Sequence, residues 1–319
     1  MKTTFFLTLM LVFASCSGHS QNTLTMEQQN IEIAKLAKQE ASMLKNYTTK
    51  PMYYLQVNKS ACRVLVRCND IPLGYSFVED GGESMLYPIN YRLLSSGSHT
   101  FSIHVYPMKN KEYLTKDAWV DVKVVYLPHK DSALSTAQVL GDALGLPEDI
   151  EEQRLPYYSA SGTFDATLPF DYSARLSKAR DLRKIPNLEE LVVAKYNAIR
   201  QQMVDCKGVE FTKERIQYTY PNSDMVYLNE EDIKLATTDD DCFNPDLLGR
   251  EVAPLDNYEM VICGKGKIVY LRTKADLDDV LMVKWYESEK HQQADAFAIS
   301  TTATVLFMPE GSDRLEMFY

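Results

Sequence analysis

The sequence predicts an α+β fold that is mostly β: an N-terminal β-sandwich, then an α+β domain with a long helix on an antiparallel sheet. Three patterns support this prediction: alternating apolar and polar residues between positions 49 and 130, a helical stripe near position 190, and short strand-like runs with a glycine-bearing turn towards the C-terminus. With 319 residues, 45% of them hydrophobic, the chain can form two cores. The predicted segments are a signal peptide (1–15), a tether and amphipathic helix (16–48), a β-sandwich domain (49–130), a short helix and linker (131–160), and an α+β domain (161–319).

The N-terminus has the three parts of a secretory signal peptide. Lys2 supplies a positive charge, residues 5–14 are almost all apolar, and the small residues Ala14 and Ser15 precede Cys16. A membrane-spanning helix needs about 20 apolar residues, roughly twice this run. We therefore interpret residues 1–15 as a cleaved signal peptide rather than a transmembrane anchor.

The residues Val12-Phe13-Ala14-Ser15-Cys16 resemble the lipobox of bacterial lipoproteins, in which small residues precede a cysteine that becomes the lipidated N-terminus. Phe13 departs from that motif, which usually has an aliphatic residue there. The resemblance implies lipid attachment (palmitate) at Cys16, a membrane anchor, and a location in the bacterial cell envelope on the periplasmic or outer-membrane face. Ordinary secretion with cleavage near Ala14 is the alternative.

A helix is predicted after a short polar tether. Residues 26–46 place apolar side chains near a 3.6-residue period: Ile33, Leu36, Ala37, Ala41 and Leu44. An isolated helix of this length is marginal in water. We therefore expect it to dock on the body of the protein.

Period-2 alternation predicts the strands of the sandwich. The inward-facing sets are Tyr53, Leu55 and Val57; Cys62, Val64 and Val66; Phe101, Ile103 and Val105; and Val120, Val122 and Val124. Residues 89–107 resemble the last hairpin of immunoglobulin-like or jelly-roll modules, and the resemblance implies a sandwich of one of these types. After the sandwich we predict a short helix over residues 132–146 and a linker over 147–162.

The second domain is predicted from one helix and several short strands. Leu188, Leu191, Val192, Ile199 and Met203 form the helical stripe, Asn187 and Glu190 suit a capping box, and Gly208 suits a C-terminal stop. The strands are expected near residues 258–263, 267–272, 280–287, 297–308 and 315–319. Gly264-Lys265-Gly266 reads as the hairpin turn between the first two.

No catalytic or cofactor motif is convincing, so we predict a protein that is not an enzyme and has no cofactor. Neither G-x-S-x-G nor H-E-x-x-H occurs. Ser42 and Lys45 fit S-x-x-K, but the downstream motifs of that enzyme class are missing. His99 and His104 should face opposite sides of one strand, so we interpret both as outward surface residues rather than metal ligands.

Charge argues against a nucleic-acid partner and draws attention to one acidic segment. The net charge of −10 repels phosphate backbones. Residues 224–256 hold ten acids against Lys234 and Arg250. Calcium is one interpretation, but the spacing of a calcium loop is missing, and we favour a solvated acidic loop. No metal site is predicted.

The remaining five cysteines are Cys62, Cys68, Cys206, Cys242 and Cys263. Cys62 and Cys68 lie about 20 Å apart along one predicted strand and cannot pair. Pairing of Cys206 with Cys242 stays open, and small buried hydrophobes are the favoured interpretation.

Three functions remain open on the sequence alone. The favoured one is a membrane-anchored envelope lipoprotein with a non-enzymatic protein-binding or structural role, with neutralisation of an effector as one version. The second is a lipoprotein that binds a glycan or small molecule, with a groove lined by aromatic residues drawn from Tyr157, Tyr158, Tyr218, Tyr220, Trp285 and Tyr286. The third is an enzyme with a dispersed active site.

Overall fold

The computed structural model describes residues 23–319. The predicted signal peptide, the lipobox-like residues and Cys16 lie outside the described residues. Within these residues the fold is mixed, with eight α-helices and four antiparallel sheets, which confirms the combination of helices and strands. No helix between residues 23 and 319 is long and apolar enough to span a membrane.

The helices are α1 (Met26–Ala41), α2 (Asn90–Leu93), α3 (Ile150–Gln153), α4 (Ala174–Ser177), α5 (Leu188–Val204), α6 (Gly208–Met225), α7 (Glu230–Thr237) and α8 (Glu289–Gln293). The strands are β1 (Met52–Ser60), β2 (Arg63–Cys68), β3 (Ile71–Pro72), β4 (Glu83–Pro88), β5 (Gly97–Tyr106), β6 (Trp119–Leu127), β7 (Gln138–Gly145), β8 (Tyr158–Ala166), β9 (Leu248–Val252), β10 (Tyr258–Cys263), β11 (Ile268–Thr273), β12 (Met282–Tyr286), β13 (Ala298–Thr301), β14 (Leu306–Phe307) and β15 (Glu316–Met317).

The first half of the chain forms two four-stranded sheets. One has the strand order β4-β1-β6-β7 and the other β3-β2-β5-β8. The alternation predicted for β1, β2, β5 and β6 is confirmed, since Leu55, Val64, Ile103 and Val122 are fully buried in a core that both sheets share. Local side-chain periodicity is enough to determine these strands because one face of each sheet meets the core.

The short helix predicted over residues 132–146 is wrong. Most of that segment is strand β7, an edge strand that pairs with β6 and is largely exposed. The end of the predicted linker is the first part of β8, which pairs with β5 along its whole length. An exposed edge strand has no buried face to impose alternation, so its pairing partner rather than its own pattern determines its structure.

The second half combines α5 with the two remaining sheets, β10-β11-β14-β15 and β13-β12-β9. The buried side chains of α5 share a second core with inward residues of β11, β12 and β14, including Val269, Val283 and Leu306. The predicted hairpin at residues 264–266 is confirmed, because it joins paired strands β10 and β11.

The predicted ends of α5 are wrong in detail. Asn187 is at the N-terminal boundary but has a left-handed backbone, and its side chain makes no capping bond. Gly208 begins α6 instead of ending α5, and Cys206 takes the left-handed conformation at that end with φ 54°. Tertiary packing of the next helix therefore overrides the usual glycine stop.

Helix α1 docks on α6 and α7, as expected for a helix too short to be stable alone. Gln29 is buried in that contact; its side-chain amide donates to the Phe243 carbonyl (3.1 Å), and its oxygen accepts from Gly208 N (2.9 Å). Ile33 and Ala37 are buried on the same face. These contacts bring α1, α6 and α7 beside the sheets and create the space described next.

Candidate functional site

A cavity of about 550 Å³ lies among helices α1, α2, α6 and α7, close to the C-terminal residue Tyr319. Its apolar wall includes Val226, Leu228 and Ile233. Its polar side chains include Glu40, Arg92, Arg215, Thr219, Asn222 and Ser223. This volume and this mixture of an apolar wall with a few convergent polar groups are typical of small-molecule sites.

Arg92 is the unusual residue of this cavity. Its side chain is 0% exposed. Its Nε donates to the Pro72 carbonyl (2.8 Å), and its guanidinium carbon lies 4.1 Å from the centre of the Tyr91 ring and 3.7 Å from that of Tyr319. Within the part of the chain that the structure describes, Nη1 and Nη2 have no hydrogen-bond partner.

An unpartnered guanidinium of this kind is costly. A buried donor without an acceptor loses roughly 1–3 kcal/mol, and more when it is charged. Stacking on two aromatic rings offsets part of that cost. A bound ligand that supplies acceptor oxygens to both Nη atoms would remove the remaining cost of burying these donors.

The fold holds Arg92 in place through its neighbours on α2. Asn90 is buried; its side chain accepts from Tyr53 N (2.8 Å) and donates to the Pro51 carbonyl (2.8 Å), which fixes α2 to the start of β1. Asn69 donates to the Arg92 carbonyl (2.9 Å). The short helix is thereby attached at both ends, and the side chain of Arg92 points into a prearranged environment.

The helical wall adds one acid and one more base. Glu40 is 3% exposed and accepts from the Ser223 hydroxyl (2.6 Å), and burial raises the pKa of its carboxyl. Arg215 is half-buried, lies over the Phe211 ring and forms no salt bridge within residues 23–319. Two arginines and one glutamate thus line the cavity.

A buried aspartate fixes the end of α6 beside the cavity. Asp224 is 1% exposed and accepts three hydrogen bonds: from Lys45 N (2.6 Å), from the Tyr47 hydroxyl (2.5 Å) and from the Tyr172 hydroxyl (2.5 Å). Burial, together with the hydrogen bond to Asp224 and its negative charge, raises the pKa of both tyrosines. Asp224 is therefore a structural group, although in the sequence it only begins an acidic run.

The rest of that run is also used locally. Residues 230–237 form α7 instead of a loop, with a capping box between Asn229 and Asp232. Asp240 accepts from Cys242 N (2.9 Å), and Asp246 accepts from Met26 N (3.2 Å). The acids face different partners, and the described residues contain no group of three or more metal-ligating side chains. The prediction of a single acidic loop is wrong for α7.

The structure disperses the aromatic residues that the sequence suggested for a groove. Tyr157 bonds to His104 through its hydroxyl (2.6 Å), Tyr218 packs near Phe307, and Trp285 with Tyr286 borders a separate shallow cleft. The aromatics that surround the cavity arginine are Tyr87, Tyr91 and Tyr319. The sequence contains one indication of this part of the site, which is an arginine within the largely apolar run 89–94.

The outward interpretation is wrong for His99. His99 is 5% exposed, lies 5.7 Å from the Phe164 ring centre and contacts Asn69 through Nδ1 (2.9 Å). Its position in β5 has the same parity as Phe101, so alternation itself places it inward, and burial lowers its pKa. His104 does face the other side and is half-buried.

All five cysteines of the described residues are free thiols, and four are buried. Burial raises the pKa of Cys62 to about 11 and that of Cys68 to about 12. These thiols therefore pack as small apolar groups, and Cys206 and Cys242 do not form a disulfide.

The geometry defines a class of site: a partly enclosed cavity with a buried arginine whose donors lack acceptors. No protein-family model matches this chain, and neither a curated protein nor a solved structure shows significant similarity to it.

Proposed function

We propose that this chain is a lipid-anchored protein of the bacterial cell envelope that binds an anionic small molecule without converting it chemically. The observation that carries this proposal is the cavity of about 550 Å³ with Arg92 unpaired in its wall. Of the three functions that the sequence leaves open, small-molecule binding is the one that such a cavity favours.

Ligand binding is tested by a thermal-shift screen of the purified full chain against a library of anionic metabolites. We expect at least one compound to raise the melting temperature, because a ligand that binds only the folded state stabilises it. Arg92→Lys should abolish the shift, and Arg180→Lys, an exposed arginine elsewhere, should retain it. The absence of any shift at millimolar ligand would contradict the proposal.

The anchor rests on the residues from Val12 to Cys16 and needs its own experiment. We expect the mature chain to begin at a diacylated or triacylated Cys16, because stable anchoring takes more than one acyl chain. Cys16→Ser should move the protein from the membrane fraction to the soluble fraction. Mass spectrometry that finds a different mature N-terminus would refute the anchor.

The proposal also includes the arrangement of the sheets and of helix α5. The shared core of the first two sheets supports a β-sandwich, and the shared core of α5 with β11, β12 and β14 supports a helix packed on an antiparallel sheet. In this arrangement the cavity lies where the sandwich meets the helical part of the second domain.

A second candidate function is binding to a protein partner. Three apolar side chains are exposed on or beside the β13-β12-β9 sheet: Leu248 (39%), Phe297 (46%) and Ile299 (50%). Apolar residues exposed together favour an interaction site. Affinity purification from solubilised membranes should recover a partner that a Phe297→Asp/Ile299→Asp variant loses; equal recovery by both proteins would count against this function.

A further inference from the structure

We infer that the ligand of the cavity is a monocarboxylate with an apolar body, whose carboxylate is held by Nη1 and Nη2 of Arg92. This inference rests on the proposed ligand-binding function and names the chemistry of its ligand.

Arg92 can bind a further group at only one edge of its guanidinium. Two aromatic rings lie over the guanidinium, so any hydrogen bond must form in its plane. Pro72 occupies Nε. The remaining edge is the pair Nη1 and Nη2, whose two parallel N–H groups match the two oxygens of a carboxylate.

The charges of the cavity wall favour a monoanion. Arg92 and Arg215 are the positive side chains of the cavity wall and Glu40 is the negative one. A site with one excess positive charge suits a monoanion, whereas a phosphate monoester would bring its second charge close to Glu40. This difference favours a carboxylate over a phosphate.

Part of the cavity wall is apolar. Val226, Leu228, Ile233 and Ala303 line the same space and carry no polar side-chain group. Burial of apolar ligand surface against such a wall is favourable. The part of the ligand that follows the carboxylate is therefore hydrocarbon or aromatic.

The approach to Arg92 lies beside Gly74. A Cβ atom at position 74 would lie 2.7 Å from the Tyr87 hydroxyl oxygen and 4.0 Å from Nη2 of Arg92. Both Nη atoms are shielded from solvent, so a side chain must move to admit the ligand. Tyr87 is half-buried and its hydroxyl accepts from Gly74 N (3.0 Å), so Gly74 and Tyr87 together close this edge of the cavity.

Calorimetric titration of the full chain tests the inference with four probes: 3-phenylpropanoate, its amide, decanoate and phenyl phosphate. We expect at least one of the two carboxylates to bind at least tenfold more tightly than both the amide and the phosphate. Comparing ligands leaves the protein unchanged, so a folding defect cannot produce this result.

Two variants locate the interaction. Arg92→Lys keeps the charge but loses the paired donors, and Gly74→Ala keeps Arg92 and narrows the space beside Nη2. We expect each to weaken carboxylate binding at least tenfold, and Arg180→Lys to leave it unchanged.

The outcomes separate the inference from the function on which it rests. Equal binding of 3-phenylpropanoate and its amide, tighter binding of phenyl phosphate, or binding unaffected by Gly74→Ala and Arg92→Lys would overturn the carboxylate assignment. If neither carboxylate binds while another compound of the thermal-shift library does so through Arg92, the carboxylate assignment fails and the ligand-binding function stands. If nothing in either set binds, both fail.

Discussion

Asp224 joins three chain segments through one carboxylate. Lys45 and Tyr47 follow α1, Tyr172 follows β8, and all three donate to Asp224 on α6. A hydrogen bond to a charged group contributes about 1.5–3 kcal/mol, and a buried donor left without an acceptor costs a similar amount. This residue therefore secures the end of α6, in the helical wall of the cavity, to the segments that follow α1 and β8.

We predict that Asp224→Asn lowers the free energy of unfolding by about 2–3 kcal/mol, because the amide group cannot accept from all three donors. Chemical denaturation at neutral pH measures this change. The same substitution at the exposed Asp256 is the matched control and should change stability by less than about 0.5 kcal/mol. Equal effects of the two substitutions would contradict a structural role for Asp224.

Glu40 is the negative group of the cavity wall. We predict that Glu40→Gln tightens binding of an anionic ligand several-fold, because it removes a like charge from the site. Titration of 3-phenylpropanoate measures the change. The neutral amide is the control ligand, since its affinity should stay constant. A weaker affinity for the carboxylate would show that Glu40 does not oppose the ligand's charge.

At the scale of elements, the helix ends differ from one another in a way that mutation can reveal. Asn229 accepts from Asp232 N at the start of α7 (2.9 Å), whereas Asn187 precedes α5 with φ 55° and makes no capping bond. The same residue type thus stabilises one helix through its side chain and the other through its tolerance of a left-handed backbone.

We predict that Asn229→Ala lowers the free energy of unfolding by about 1 kcal/mol, since the capping bond is lost. Asn187→Gly should leave stability unchanged or raise it slightly, because glycine adopts a positive φ without strain. Thermal or chemical denaturation of both variants gives the comparison. A loss at Asn187 as large as that at Asn229 would show that its side chain has a role that its contacts do not reveal.

Helix α6 contains a proline that its sequence alone would place outside a helix. Pro221 has no N–H and so leaves a carbonyl in the preceding turn without its helical partner. Arg175 donates to the Tyr218 carbonyl (2.7 Å) and to the Asn222 side chain (2.9 Å) around this point. The carbonyl without a partner is that of Gln217, four residues before Pro221, so Arg175 binds the next carbonyl along the helix and links this turn of α6 to α4.

At the scale of the whole molecule, the segment between β11 and β12 packs against β2, β5 and the loops beside them. Arg63 donates to the Ala275 carbonyl (2.8 Å), Lys109 pairs with Asp276 (3.0 Å), and Leu277 is buried in a cluster with Leu65 and Val78. Asp279 lies at the end of this segment. Burial, together with the Asp278 carboxylate, raises the pKa of Asp279 to about 7.

This raised pKa predicts a pH dependence of stability. Between the ordinary aspartate value of about 4 and about 7, the folded state holds a proton that the unfolded state has released. Stability should therefore fall as pH rises through that range. Asp279→Asn should raise the melting temperature relative to the parent protein by more at pH 8 than at pH 5. A difference that does not change with pH would contradict the assignment.

The sequence by itself determined the elements whose pattern is local. Alternation located β1, β2, β5 and β6, and helical spacing located α1 and α5, because one face of each is buried and the other is not. The glycine-bearing turn located the hairpin of β10 and β11. The alternation of β5 also predicts that His99 is buried, because His99 lies on the same face of the strand as Phe101.

Only the tertiary structure decided the identity of β7 and β8, the course of α6 and the site. Strand β7 has no buried face of its own, and Pro221 argues against the helix in which it lies. The cavity joins Glu40, Arg92, Arg215 and Tyr319, which are far apart in the chain. No local sequence pattern predicts that these residues lie together, because the cavity arises from the packing of α1, α2, α6 and α7.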